Sequence, residues 1–168
     1  GAGRGEACPS CYELKSVLSR HGLQRPGTVR HMVQPTHRDT HSDVLIVGAG
    51  ISGISMACHL QTECPDRSYT ILEGRPDIGG TWDLFKYPGV RSDSDMHTLG
   101  FSFKPWKHEK SIADGESIMQ YLRETVAERH VGDHIRFNHR VERADWDSAT
   151  SRWTLTVKQG DTGETVQY

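Results

Sequence analysis

The feature that most constrains the fold is a short apolar run followed by a glycine-rich loop, DVLIVGAGISG. The run at Asp43–Val47 is typical of a strand buried on both faces of a parallel sheet. Gly48 permits a tight turn, Gly50 lets the backbone approach a pyrophosphate, and Gly53 lets helix and strand pack closely. The pattern therefore predicts a loop that binds a dinucleotide.

The residues after this loop complete a βαβ unit. A helix is expected from about Ser52 to Gln61, with Ile54, Ala57 and Cys58 facing the sheet. A second strand is expected over Ser68–Leu72. The helix amino terminus would offer free N–H groups and a positive dipole end to phosphate groups.

An acidic residue ends the second strand. Glu73 lies where a carboxylate accepts hydrogen bonds from ribose hydroxyl groups. Its charge would repel the 2′-phosphate of NADP, so the site should hold the ADP half of FAD or of NAD. The alternative for the whole motif is a glycine-rich turn that serves packing alone.

Composition limits the other classes of function. The 168 residues are 35% hydrophobic and 25% charged with a net charge of −2, which suits one globular domain and gives no electrostatic footprint for nucleic acid. The apolar runs are far shorter than the roughly 20 residues of a membrane helix. Four cysteines do not form a disulfide framework, so a cytoplasmic location is expected, with peripheral membrane association left open.

The chain divides into two parts at residue 42. Residues 1–42 are interpreted as an extension or linker, with a short helix at Tyr12–Arg20. Met32 is a suitable first residue for the natural protein. Residues 1–31 are therefore interpreted as upstream sequence, a tag-like extension or the result of a mis-set start. Cys8 and Cys11 form a lone CxxC without zinc-finger spacing or a preceding strand, which disfavours a metal or redox role. No metal site is predicted.

Residues 43–168 are interpreted as the amino-terminal part of a dinucleotide-binding domain. Residues 74–110 are expected to form a functional loop, and Asp114 to cap a helix running to about His130. Ile135–Val141 is predicted as one strand, and residues 142–158 as a β-hairpin whose second strand alternates Trp153, Leu155 and Val157. The fold class is thus α/β, a Rossmann-like parallel sheet plus a hairpin, incomplete at the carboxyl end. Phe101, Phe103 and Trp106 suit either core packing or a substrate pocket.

A second motif, GGTWD followed by YPGVRSD, lies in the long loop. Gly79-Gly80 would let another backbone segment approach a long cofactor. Thr81 and Trp82 would supply a hydroxyl group and a flat apolar wall, and Asp93 a hydrogen-bond acceptor or a partner for a cation. The alternative is a surface loop anchored by a buried tryptophan.

Together these motifs, GAGISG…E…GGTWDLFKYPGVRSDSDMHTLGFSFKPW, resemble the amino-terminal part of class B flavoprotein monooxygenases, and most of all Baeyer–Villiger monooxygenases of the ethionamide-activating type. The resemblance extends from Asp43 to Tyr168. It implies FAD as the cofactor, with the adenosine ribose on Glu73, the ring near Asp93 and the adenine edge against Val141. It places Gly48, Gly50, Ser52 and Gly53 at the pyrophosphate and Gly80, Thr81, Trp82 and Asp83 along the path to the flavin.

The resemblance also implies a reaction that needs NADPH and O₂. Its substrates would be ketones, converted to esters or lactones, or sulfur compounds that are oxygenated. Asp93 would orient a catalytic arginine that lies outside this chain. The sequence lacks a second GxGxxG and the FxGxxxHxxxW linking motif, so this segment alone is expected to be inactive. The alternatives are a non-catalytic truncated dinucleotide-binding product and another two-dinucleotide flavoenzyme, such as a disulfide reductase, whose redox CxxxxC is absent after the second strand.

Overall fold

The computed structural model describes residues 40–168. The predicted helix at Tyr12–Arg20, the CxxC at Cys8–Cys11 and the proposed start at Met32 lie outside the described residues. They stay predictions.

The predicted βαβ unit is confirmed. Strand β1 (Val44–Val47) pairs in parallel with β2 (Tyr69–Leu72), and helix α1 (Ile51–Glu63) connects them. Three side chains of α1 are buried against the sheet, and they are the three that helical periodicity predicts: Ile54, Ala57 and Cys58.

The long loop contains two short helices that sequence reasoning did not predict. Helix α2 spans Thr81–Leu84 and helix α3 spans Met96–Leu99. Asp95 caps α3 by accepting hydrogen bonds from the N–H groups of His97 and Thr98. Helices of four residues carry too little periodicity to be visible in a sequence.

Helix α4 (Gly115–Glu128) confirms the predicted capped helix. The side chain of Asp114 accepts a hydrogen bond from the N–H of Ser117 at 2.8 Å, which satisfies one orphan donor of the first turn. The helix ends at Glu128, two residues before the predicted end, because His130 has a φ of 53° and cannot continue a right-handed helix. A short 3₁₀ helix, Val131–His134, follows.

The prediction of one strand over Ile135–Val141 is wrong. Strand β3 (Ile135–Arg136) pairs in parallel with β2, whereas β4 (His139–Asp147) belongs to a separate antiparallel sheet. The break occurs at Asn138, whose φ of 58° turns the chain. The alternation of apolar residues has the same period on both sides of the turn, so it does not reveal the break.

The predicted hairpin is confirmed and extended. Strand β4 pairs with β5 (Arg152–Gln159), and β6 (Thr165–Gln167) adds a third antiparallel strand. Leu155 and Val157 are buried, but Trp153 is 58% exposed although it alternates with them. It pairs across the sheet with Trp146, with ring centroids 5.4 Å apart.

The aromatic residues of the loop pack into the core, as one of the two interpretations of this cluster predicts. Phe101 and Trp106 are buried and Phe103 packs against the same cluster. Buried Tyr121 of α4 fixes this segment, because its hydroxyl oxygen accepts from the N–H of Phe101 at 2.8 Å and donates to the carbonyl of Lys104 at 2.5 Å. Within residues 40–168, no helix is both long and apolar enough to cross a membrane.

The first prediction concerns this anchor. Tyr121→Phe removes both hydrogen bonds and leaves the buried N–H of Phe101 without an acceptor, which costs about 1–3 kcal/mol. Urea unfolding should show that loss of stability, while Tyr87→Phe, at a position that is 58% exposed, should change stability by less than about 0.5 kcal/mol. Equal effects of the two variants would contradict the anchoring role.

Candidate nucleotide-binding site

The first glycine loop has the geometry that its sequence predicts. Gly48 has a φ of 95°, which only glycine adopts readily, and its N–H donates to the carbonyl of Leu72 at 2.8 Å. A Cβ atom on Gly53 would overlap the carbonyl oxygen of Gly48. Glycine is therefore required at both positions, one for the turn and one for the contact between helix and loop.

The amino terminus of α1 is free to bind an anion. Its cap residue is Gly50, and no side chain of the described part of the protein caps this end. The first N–H groups of a helix have no acceptor within the helix, and those of α1 receive no side-chain cap from the described residues. Helices α3 and α4, in contrast, are capped by Asp95 and Asp114. Ser52, exposed in the first turn, lies at this end.

Glu73 is buried, with 6% of its surface exposed, and holds the loop in place. Its Oε2 accepts a hydrogen bond from the N–H of Ala49 at 2.6 Å, and its Oε1 accepts one from the N–H of Arg75 at 2.9 Å. A carboxylate has about four acceptor sites, so each oxygen can still accept a bond from a ribose hydroxyl group. The contact with Ala49 is not visible in the sequence.

The second glycine segment lies directly against the first. The N–H of Gly79 donates to the carbonyl of Ala49 at 2.9 Å. Gly80 has a φ of 55°, and a Cβ atom there would lie 3.2 Å from the Cα of Gly50. The two motifs that were singled out separately in the sequence therefore form one surface.

The three residues after this segment have different environments. Thr81 is exposed, and Trp82 is half-buried against the core, with its ring next to Gly115 at the start of α4. Asp83 points inward instead of lying open: Arg75 Nη2 donates to its Oδ2 at 2.5 Å, and Lys86 Nζ lies 3.2 Å from its Oδ1. The hydrogen bond from Arg75, with a smaller effect of Lys86, lowers the pKa of Asp83 below its ordinary value.

Asp93 lies apart from this cluster. Its side chain is exposed. The residues just before it are held by backbone hydrogen bonds to the start of α4. The N–H of Ser92 donates to the carbonyl of Ala113 at 2.9 Å, and the N–H of Gly115 donates to that of Val90 at 3.0 Å. These two bonds join the ends of the section 92–113, which contains Asp93. They do not bring Asp93 into contact with Glu73 or Asp83.

Val141 lies on β4, close to the end of β2. The N–H of His139 donates to the carbonyl of Glu73 at 2.8 Å, which joins the antiparallel sheet to the residue that follows β2 of the parallel sheet. Val141 is half-buried and packs against the cluster that contains Leu72. The pairing of β4 with β5 is irregular between Val141 and Arg143, where a β-bulge interrupts the ladder.

Arg75, which joins Glu73 to Asp83, was not among the predicted site residues. The only signal in the sequence was a basic residue two positions after Glu73, in the stretch EGR. On its own that signal is weak, because a charged residue after a strand is usually solvated.

Comparisons with known proteins agree with this geometry. The sequence model of the NAD(P)-binding Rossmann-like domain matches residues 46–114. The FAD-containing monooxygenase EthA of Mycolicibacterium smegmatis is 66% identical over 118 residues, which is 70% of this chain and 24% of that protein. The protein of the same name from Mycobacterium tuberculosis is 57% identical over 122 residues, 73% of this chain and 25% of that protein. Over this span the chain is homologous to the amino-terminal part of the EthA-type FAD-containing monooxygenases.

The structural comparison supports the same family. A solved structure of cyclohexanone monooxygenase from Rhodococcus sp. Phi1 bound to NADP+ has a TM-score of 0.62 and 27% identity, covering 75% of this chain and 24% of that one. The predicted resemblance to Baeyer–Villiger monooxygenases is thus confirmed. The chain spans about a quarter of the length of the EthA-type relatives it matches.

The second prediction tests the glycine loop of this EthA-type segment. Gly53→Ala should cost at least about 2 kcal/mol of unfolding free energy, because the new methyl group overlaps a backbone oxygen rather than a flexible side chain. Gly132→Ala is the matched control, since its nearest neighbour would be Val126 Cγ1 at 3.6 Å, an ordinary contact. Chemical denaturation compares the two. A tolerated Gly53→Ala would contradict the close contact.

The third prediction concerns pH. The pKa of Asp83 is lower in the folded chain than in the unfolded chain, so its ion pair stabilises the fold above about pH 4 and is lost as the pH falls through the folded-state pKa. Asp83→Asn should therefore be less stable than the wild type at pH 7, and the difference should shrink below about pH 4. Urea unfolding at several pH values measures it, with exposed Asp66→Asn as the control. A pH-independent difference would contradict the ion-pair explanation.

Proposed function

We propose that this segment binds FAD in an NADPH- and O₂-dependent monooxygenase. One observation carries the proposal: the uncapped amino terminus of α1 lies next to Glu73, a buried acid that follows β2. The first suits a pyrophosphate and the second suits a ribose. The names of the EthA-type relatives, which are FAD-containing monooxygenases, support FAD as the nucleotide.

The residues present fit that cofactor. The first-turn N–H groups of α1 would receive the pyrophosphate, because no side chain of the described residues caps this end of the helix. Glu73 would hold the adenosine ribose. The remaining contacts are proposed from the family resemblance: Gly48 and Ser52 at the pyrophosphate, Gly80, Thr81, Trp82 and Asp83 towards the flavin, Asp93 near its ring and Val141 at the adenine.

FAD, when bound, supplies the redox chemistry that transfers one atom of O₂ to a substrate, with NADPH as the reductant. The work of this segment is to bind and orient. Glu73 fixes the loop through Ala49 and so sets where the helix amino terminus meets the phosphates. Trp82, anchored against the core, gives the second glycine segment a fixed position.

Asp93 is proposed to support the reaction rather than to carry it. Its exposed carboxylate is available to a cation from outside the described residues, consistent with the orienting role that the family resemblance implies. For the whole enzyme we propose ketones or sulfur compounds as substrates and a cytoplasmic location. The similarity to a cyclohexanone monooxygenase supports a ketone as the substrate, because cyclohexanone is itself a ketone.

The fourth prediction tests the role of Glu73 in cofactor binding. Glu73→Gln keeps the size of the side chain, but its NH₂ group must face the N–H of either Ala49 or Arg75, so one of these donors loses its acceptor. The affinity for FAD should fall at least about tenfold, or about 1.4 kcal/mol. Quenching of flavin fluorescence on titration measures it. Exposed Glu164→Gln is the control, and unchanged FAD affinity in Glu73→Gln would contradict the proposed function.

A further inference from the structure

Two residues at the end of β2 have opposite preferences for the 2′ position of a nucleotide. In dinucleotide-binding folds an acid suits the free 2′-hydroxyl group, whereas a nearby arginine accommodates a 2′-phosphate. This chain has both, Glu73 and, two positions later, Arg75. Glu73 alone predicts that a 2′-phosphate is repelled, but Arg75 has the opposite preference.

The structure shows the guanidinium of Arg75 bound to an acid from another segment. Its Nη2 donates to Oδ2 of Asp83 at 2.5 Å, and the side chain of Asp83 is 11% exposed. A short charge-assisted pair of this kind holds its partners in one geometry. Arg75 is therefore neutralised by Asp83 and directed towards the second glycine segment.

Arg75 still has an unused donor. Its Nε is buried and has no hydrogen-bond partner among residues 40–168. A guanidinium has five N–H groups and binds phosphate well when they are available. An Arg75 released from Asp83 would accordingly be a suitable partner for a phosphate beside Glu73.

We propose that Asp83 is a specificity-determining residue that keeps this nucleotide site closed to a 2′-phosphate by binding Arg75. The inference rests on the proposed function. An enzyme that uses both FAD and NADPH must distinguish two adenosine groups that differ at their 2′ position. Asp83 makes the distinction through Arg75 and not by touching the 2′ position itself.

Two other cations lie close enough to serve as controls. Lys86 Nζ is 3.2 Å from the second oxygen of Asp83 and its side chain is 74% exposed. Arg140 lies against Gly74, the residue between Glu73 and Arg75, since a Cβ atom on Gly74 would be 3.4 Å from the Cβ of Arg140. If a phosphate were attracted by general positive charge, either of them would matter as much as Arg75.

The experiment compares two probes, ADP and adenosine 2′,5′-bisphosphate, by isothermal titration calorimetry. The wild-type chain should prefer ADP. Asp83→Ala should shift the ratio of the two dissociation constants towards the bisphosphate by about tenfold or more. Asp83→Asn, which keeps the shape of the side chain, should shift it in the same direction and replaces the alanine variant if that one fails to fold by circular dichroism.

Second-site variants identify the arginine responsible. Asp83→Ala with Arg75→Gln should lose the shift, whereas Asp83→Ala with Arg140→Gln should retain it, and Lys86→Gln alone should leave the ratio unchanged. An unchanged ratio in folded Asp83 variants, or a shift that survives Arg75→Gln, overturns the inference. A wild-type chain that binds neither ADP nor FAD instead contradicts the proposed function, and the inference falls with it.

Discussion

The carboxylate of Glu73 joins segments that are far apart in the chain. One oxygen binds the N–H of Ala49 in the first glycine loop, and the other binds the N–H of Arg75. Arg75 binds Asp83, and the second glycine segment returns to Ala49 through the N–H of Gly79. These bonds form a closed circuit at the end of the sheet that carries Glu73. Burying a carboxylate is costly unless it is hydrogen-bonded, so the bonds from Ala49 and Arg75 are needed to keep Glu73 buried. Glu73, the residue proposed to bind ribose, therefore also holds this circuit together.

This arrangement explains why the long loop between the glycine segments and α4 stays in place with little secondary structure. Its aromatic residues enter the core, where Tyr121 satisfies the backbone of Phe101 and Lys104. Backbone pairs fix the ends of the section that carries Asp93. The loop is therefore attached to α4 by hydrogen bonds and to the sheet by the circuit through Arg75. Loops that carry functional residues are commonly positioned in this way by a rigid scaffold of helices and strands.

Much of the fold could be predicted because local patterns and tertiary structure agree. The apolar run before Gly48, the buried face of α1 and the cap at Asp114 depend on residues that are neighbours in the chain. The division between β3 and β4 could not be predicted, since it depends on a left-handed Asn138 within an unbroken alternation. The exposure of Trp153 could not be predicted either, because alternation identifies a face of a strand but not which other segment covers that face.

The sequence by itself determined the class of site. The spacing of Gly48 and Gly53 and the acid at Glu73 predict a dinucleotide site, and the GGTWD motif indicates the family resemblance that the comparisons confirm. Only the tertiary structure decided what Asp83 and Arg75 do. Spacing along a chain does not show which cation meets which carboxylate, because ion pairs between segments form only after the backbone has brought them within a few ångströms. Asp83, expected beside the cofactor, lies against Arg75 because the two glycine segments fold against each other.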